Sequence, residues 1–226
     1  MGTFVDLKAA DGAAIPAYVA QPPGKPRGGV VVVQEIFGVN SHIRAVADGY
    51  AAEGYLAVAP AIFQRVKPGV ELGYAQEDMQ AGMGLKSAVE ALPAPGVMQD
   101  LQAAVNHAAQ AGKVGIVGYC WGGTCAWKSA SSVDGLSAAV CYYGGGIPGL
   151  TGEKPKCPVQ FHWGEADAGI PMEKAKAVEA AHPNAPHYYY PGAGHGFNCD
   201  HRASYNADAT KLAKQRTLEF FAKHVG

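Results

Sequence analysis

Cys120 lies within Gly118-Tyr119-Cys120-Trp121-Gly122-Gly123, a setting in which a thiol can act as a nucleophile. The preceding Lys113-Val114-Gly115-Ile116-Val117 is short and apolar and reads as a buried strand, while the stretch from Trp121 suits a helix. A sharp strand-to-helix turn needs small neighbours, because its apex residue holds a strained backbone and larger side chains there would clash. The turn also sets the sulfur at a helix N-terminus, where the dipole and free N–H groups favour a thiolate. Covalent catalysis by cysteine is the chemistry this arrangement suggests.

Such a nucleophile needs a base and an acid that orients the base. Downstream, Gly164-Glu165-Ala166-Asp167 follows the strand-like Pro158 to Trp163. Gly192-Ala193-Gly194-His195-Gly196-Phe197 follows the strand-like His187 to Tyr190. The order nucleophile, acid, histidine selects Cys120, Asp167 and His195, with Glu165 as the rival carboxylate; Asp167 could also simply cap the helix after Pro171. The remaining histidines, His42, His107, His162, His182, His187, His201 and His224, have no comparable context and read as structural or surface groups, and their spacing forms no metal motif. A developing oxyanion needs donors. The N–H of Trp121 is one, and the second is expected from Gln34-Glu35-Ile36-Phe37-Gly38, the loop after the Val30 to Val33 strand. Glu35 is unusual there, since a carboxylate repels the charge that forms. It makes sense if it bonds the resting thiol and gives way to substrate; a solvated loop glutamate is the alternative.

The elements that would position these groups alternate. Thr3 to Ala20 turns at Asp11-Gly12 as an edge hairpin. Val30 to Val33 reads as a strand buried on both faces, Ser41 to Glu53 as a helix capped by Ser41 and stopped at Gly54, and Tyr55 to Ala59 as a strand. Ala61 to Gly96 is a weak region with a short helix near Gln76 to Leu85. Val97 to Ala111 is a helix, Leu136 to Tyr143 a strand, and Pro171 to Ala181 a helix. The last helix runs from about Ala203 to Lys223, with a face of Tyr205, Ala209, Leu212, Ala213 and Phe220. Strands alternating with helices predict an α/β fold: one domain over residues 1–226, with a mostly parallel sheet covered on both faces.

Composition fits that reading. The chain has 226 residues, 48% hydrophobic and 16% charged, with a net charge of -1. Such a balance offers no basic face for nucleic acid, and no apolar run spans a bilayer. No basic segment followed by an apolar core opens the chain, so a cytoplasmic location is expected. The five cysteines, Cys120, Cys125, Cys141, Cys157 and Cys199, form no paired spacing. Only Cys120 has a context that needs a thiol.

Together these pieces resemble the dienelactone hydrolase family of α/β-hydrolases. The resemblance rests on Gln34 to Gly38, Gly118 to Gly123, Tyr142-Tyr143-Gly144, Asp167 and Gly194-His195-Gly196-Phe197, and runs in order over nearly the whole chain. It implies a Cys120-Asp167-His195 triad, an oxyanion hole from the backbone N–H groups of Ile36 and Trp121, and Glu35 as resting partner of the thiol. Family members that open an enol-lactone grip its carboxylate with arginines. Here the segment after the histidine holds none before Arg202, and Arg65 is the one arginine in the Ala61 to Gly96 excursion. The pocket is therefore expected to be less charged, lined by Phe37, Trp121, Tyr142, Tyr143 and Phe197 with Arg65 as a candidate. The expected substrate is a small neutral or weakly acidic ester or lactone, processed without metal or organic cofactor by a monomer or small homo-oligomer. Two rival readings are a catalytically weak ligand-binding protein of the same fold and a thiol-redox protein pairing Cys120 with Cys125 or Cys199.

Overall fold

The structure is a computed structural model that describes residues 2–226. Asp11 closes the first hairpin by accepting the Ala13 N–H at 3.1 Å, joining β1 (Thr3–Lys8) to β2 (Ala14–Ala20) in antiparallel register. The continuous apolar runs become strands buried on both faces: β3 (Gly29–Val33), β4 (Leu56–Pro60) and β5 (Val114–Tyr119). β6 (Leu136–Tyr142), β7 (Val159–Gly164) and β8 (His187–Tyr190) complete an eight-stranded sheet in the order β1-β2-β4-β3-β5-β6-β7-β8. β2 runs antiparallel to both of its neighbours, β1 and β4; every other pairing in the sheet is parallel.

Helices cover both faces, and the register explains which goes where. Gly29 is paired with Val114 and Val30 with Gly115, so Gly29 and Gly115 present opposite faces of the pleat. Ala108 of α3 (Met98–Ala108) packs on Gly29, whereas Phe221 of α6 (Ala207–His224) packs on Gly115. α1 (Ser41–Ala52) shares the α6 face through the Tyr50 and Phe221 rings, 6.1 Å apart. α4 (Trp121–Ser132) sits beside α3, and Trp127 in it meets His182 at the end of α5 (Met172–Ala181). Among the described residues no helix is long and apolar enough to cross a membrane.

Three local expectations are corrected. Asn40, not Ser41, caps α1, accepting the Ile43 N–H at 3.2 Å, because an extended residue before the first turn aims its side chain at those free donors. α2 (Gln76–Glu90) is longer than the expected short helix. On the final helix Leu212 is 40% exposed and Tyr205, which precedes the helix, is 43% exposed; Ala209, Ala213, Thr217, Phe220 and Phe221 face inward instead.

Candidate active site

The parallel register brings the chemistry to one edge. Val33 lies beside Gly118, Tyr119 beside Tyr142, Tyr142 beside His162, and Gly164 beside Tyr190. The loops leaving β3, β5, β7 and β8 therefore open at the same C-terminal edge of the sheet, where ligand sites of such sheets form. Cys120 stands at the β5–α4 turn with φ of 56° and ψ of -121°, a left-handed conformation that a non-glycine residue adopts at a strain cost. Its neighbours accommodate that strain by close backbone approach. A side chain at Gly118 would meet the Gly122 carbonyl, and one at Gly122 would meet the backbone of Val33 and Gln34.

His195 and Asp167 join Cys120. His195 Nε2 is 3.1 Å from Cys120 Sγ, and its Nδ1 is 2.8 Å from Asp167 Oδ2. Asp167 does both jobs open to it in the sequence: its Oδ1 accepts the Gly169 and Ile170 N–H groups at 2.8 and 3.2 Å, while Oδ2 holds the imidazole. The rival Glu165 points into solvent. Burial disfavours a charged His195, but the hydrogen bonds to Asp167 and Cys120 outweigh it and push the imidazole up from 6.5 to about 10. Ile36 and Trp121 border the space beside the thiol, and neither backbone N–H donates a hydrogen bond among the described residues.

Glu35 departs from expectation. The thiol faces His195, and the Glu35 carboxylate is taken elsewhere: Arg202 Nη1 donates to Oε1 and the Tyr74 hydroxyl to Oε2, each at 3.2 Å. A guanidinium outcompetes a thiol for a buried carboxylate because its donors are charged and a thiol is a weak donor. Arg202 reaches inward because the loop folds back in tight turns, with Cys199 N–H donating to Gly196 O at 2.9 Å and Arg202 N–H to Cys199 O at 3.1 Å. Its guanidinium lies 5.8 Å from the centre of the Phe37 ring.

The expected pocket is also redrawn. Arg65 is not among the residues lining the cleft and donates instead to Asp100 at 2.6 to 2.9 Å and to Asp11 at 2.7 and 3.2 Å; the buried Asp100 carboxylate demands that partner. Tyr142 is core, stacked on His162 with its hydroxyl 2.7 Å from Thr217 Oγ1. Tyr143 and Phe197 are fully buried behind His195, the Tyr143 ring centre 5.3 Å from the imidazole, and Phe37 packs on Tyr74. Of the expected aromatics only Trp121 borders the cleft, stacked on Phe63 with its Nε1 donating to Glu90 at 3.0 Å. The cleft beside Cys120 and His195 holds about 120 Å³, and α2 supplies Met83, Lys86 and Glu90 to its wall. Those three residues stand three and four apart, one helix face, and would have been visible had the sequence been read as helical to Glu90.

One further residue was overlooked in sequence. His42, read as structural or surface, is buried with Glu35 and Cys199 close by. Cys125, the proposed redox partner, is buried on α4, where burial pushes its thiol up to about 12 and so disfavours thiolate exchange. All five cysteines are free.

Residues 15–225 match the family model described as the dienelactone hydrolase family. A protein of Synechocystis sp. provisionally named carboxymethylenebutenolidase is 38% identical over 227 residues, covering 92% of this chain and 91% of that protein. One of the same provisional name from Escherichia coli is 36% identical, covering 94% and 83%. The crystal structure of a provisionally assigned dienelactone hydrolase from Klebsiella pneumoniae matches with a TM-score of 0.84 at 32% identity, covering 99% of both chains. The mostly parallel sheet and its helices are those of the α/β-hydrolase fold.

Proposed function

The chain belongs to the dienelactone hydrolase family, and from that premise we propose that it hydrolyses small esters or lactones through a thioester on Cys120. The observation that carries this reading is the continuous line Cys120 Sγ, His195 Nε2, His195 Nδ1, Asp167 Oδ2, with links of 3.1 and 2.8 Å. His195 holds the thiol proton at Nε2 while Asp167 fixes the ring and the charge it then carries. The sulfur attacks the carbonyl carbon, and the carbonyl electron pair moves to an oxygen received by the Ile36 and Trp121 N–H groups. Collapse of that intermediate breaks the C–O bond, and the His195 proton goes to the leaving oxygen. Water then gives a proton to His195 as it attacks the thioester, and the sulfur departs from the second intermediate.

The leaving group decides how well a cysteine serves. A thiolate leaves more readily than an alkoxide, so a simple alkyl ester returns to reactants, whereas an enolate leaves well enough to compete. Enol-lactones and activated esters are therefore the substrate class proposed. Lys86 stands in the cleft wall 3.6 Å from Glu90 and offers the cation that a substrate carboxylate needs, the part expected of Arg65 in the sequence reading. Hydrolysis of cis- and trans-dienelactone and of p-nitrophenyl acetate by wild type and Cys120→Ala tests the proposal; substrate turnover lost with the thiol supports it, and turnover kept without the thiol refutes it.

A further inference from the structure

We propose that Glu35, His42 and Cys199 form a binding site for a zinc-class divalent cation, set behind the catalytic thiol. One donor atom from each lies within 4.8 Å of the other two. All three are withdrawn from solvent, with exposures of 1%, 4% and 0%. They come from the loop after β3, the first turn of α1 and the loop after His195, so no spacing in the sequence announces them.

His42 is the second observation. Its Nδ1 lies 3.2 Å from Asp200 Oδ1, which fixes the ring proton on that nitrogen. Nε2 is then an unprotonated acceptor, and it is buried without any hydrogen-bond partner among the described residues. A buried acceptor left unpaired carries a desolvation penalty. A histidine whose one nitrogen donates to a carboxylate while the other waits with a free lone pair is how metal-ligating imidazoles are held.

The donor set selects the ion. Thiolate, imidazole and carboxylate together suit zinc and its borderline-soft neighbours, whereas magnesium and calcium prefer oxygen alone. Tetrahedral zinc needs donors roughly 3–4 Å apart, so the three side chains close in slightly on binding. The cation replaces the Cys199 thiol proton: the S–H bond breaks, the S–metal bond forms, and the proton leaves to solvent. The ion also takes Glu35 from Arg202, an exchange that weakens affinity and separates the bound state from the one seen here. The Tyr74 hydroxyl, 3.2 Å from Glu35 Oε2, or water fills the fourth position. Entry is through a depression of about 330 Å³ between α1 and α6 that His42, Asp200, Tyr205 and Lys214 line.

Cobalt(II) titration of the full chain tests the site, because a thiolate ligand produces a near-ultraviolet charge-transfer band. The background is Cys120→Ser, which removes the competing thiol–imidazole pair at the active site. The expected result is one equivalent of cobalt with that band, displaced by zinc and not by magnesium. Adding Cys199→Ser abolishes the band, and adding His42→Gln weakens binding at least roughly tenfold. Circular dichroism checks folding, and Cys199→Ala replaces any variant that fails to fold. No band in the Cys120→Ser protein, or a band that survives loss of Cys199, overturns the proposal.

Discussion

Arg202 Nη1 meets Glu35 Oε1 at 3.2 Å from 167 positions further along the chain, and the two side chains are 15% and 1% exposed. Removing one partner of a buried ion pair strands the other charge, at a cost of about 3–5 kcal/mol. Arg202→Ala is therefore expected to lower stability by about that amount in urea unfolding. The double variant Arg202→Ala/Glu35→Gln should recover most of it, because no uncompensated charge then remains. Equal losses in the single and double variants would show that the pair is not what holds the region.

Asp167 serves the ring and the backbone at once, and its removal should register in two separate measurements. Asp167→Asn keeps the shape but gives His195 a poorer partner, so kcat should fall on the order of 10²–10⁴-fold. The hydrogen bonds to Gly169 and Ile170 survive in part through the amide oxygen. Thermal unfolding should accordingly move by only about 1 kcal/mol. A variant with near wild-type kcat would remove Asp167 from the catalytic line.

The raised His195 value fixes a pH dependence. The imidazolium is favoured in the folded protein up to about pH 10, against 6.5 for a free histidine. Its stabilising contribution is complete below pH 6.5 and is lost as pH rises through 10. Activity that uses the imidazolium to protonate the leaving oxygen should likewise hold through pH 8–9 and fall near 10. Titration of the His195 ring by NMR reads this directly, and Asp167→Asn should shift the transition downward. An imidazole already neutral at pH 7 would refute it.

Lys86 separates charged from neutral substrates. Lys86→Ala should raise KM roughly tenfold or more for a lactone bearing a carboxylate, the loss of one charge-assisted hydrogen bond. KM for p-nitrophenyl acetate should stay within about twofold, since a neutral ester has no charge for it to meet. A parallel rise for both substrates would assign Lys86 to the shape of the cleft alone.

What could be read from the chain divides along a physical line. The elbow was legible because its requirements are local: Gly118 and Gly122 are small where backbones touch, and the strand and helix adjoin them. Asp167 and His195 were legible because parallel strands deliver successive loops to one edge. Arg202 was not, since its reach depends on three consecutive turns after Gly196 that no periodicity marks. Nor was the extent of α2, whose Gly82 and Gly84 weaken helical propensity while contact of Gly82 with Ile36 sustains the helix in place. Tyr142 and Phe197 carry the same apolar character whether they wall a pocket or fill a core, and only the packing distinguishes the two.

A covalent thioester on Cys120 can be trapped by rapid-quench mass spectrometry with p-nitrophenyl acetate. The expected result is a burst of p-nitrophenolate and one acetyl group on the peptide that carries Cys120, both absent in Cys120→Ala. An acetyl group on another residue, or undiminished turnover in Cys120→Ala, would contradict it.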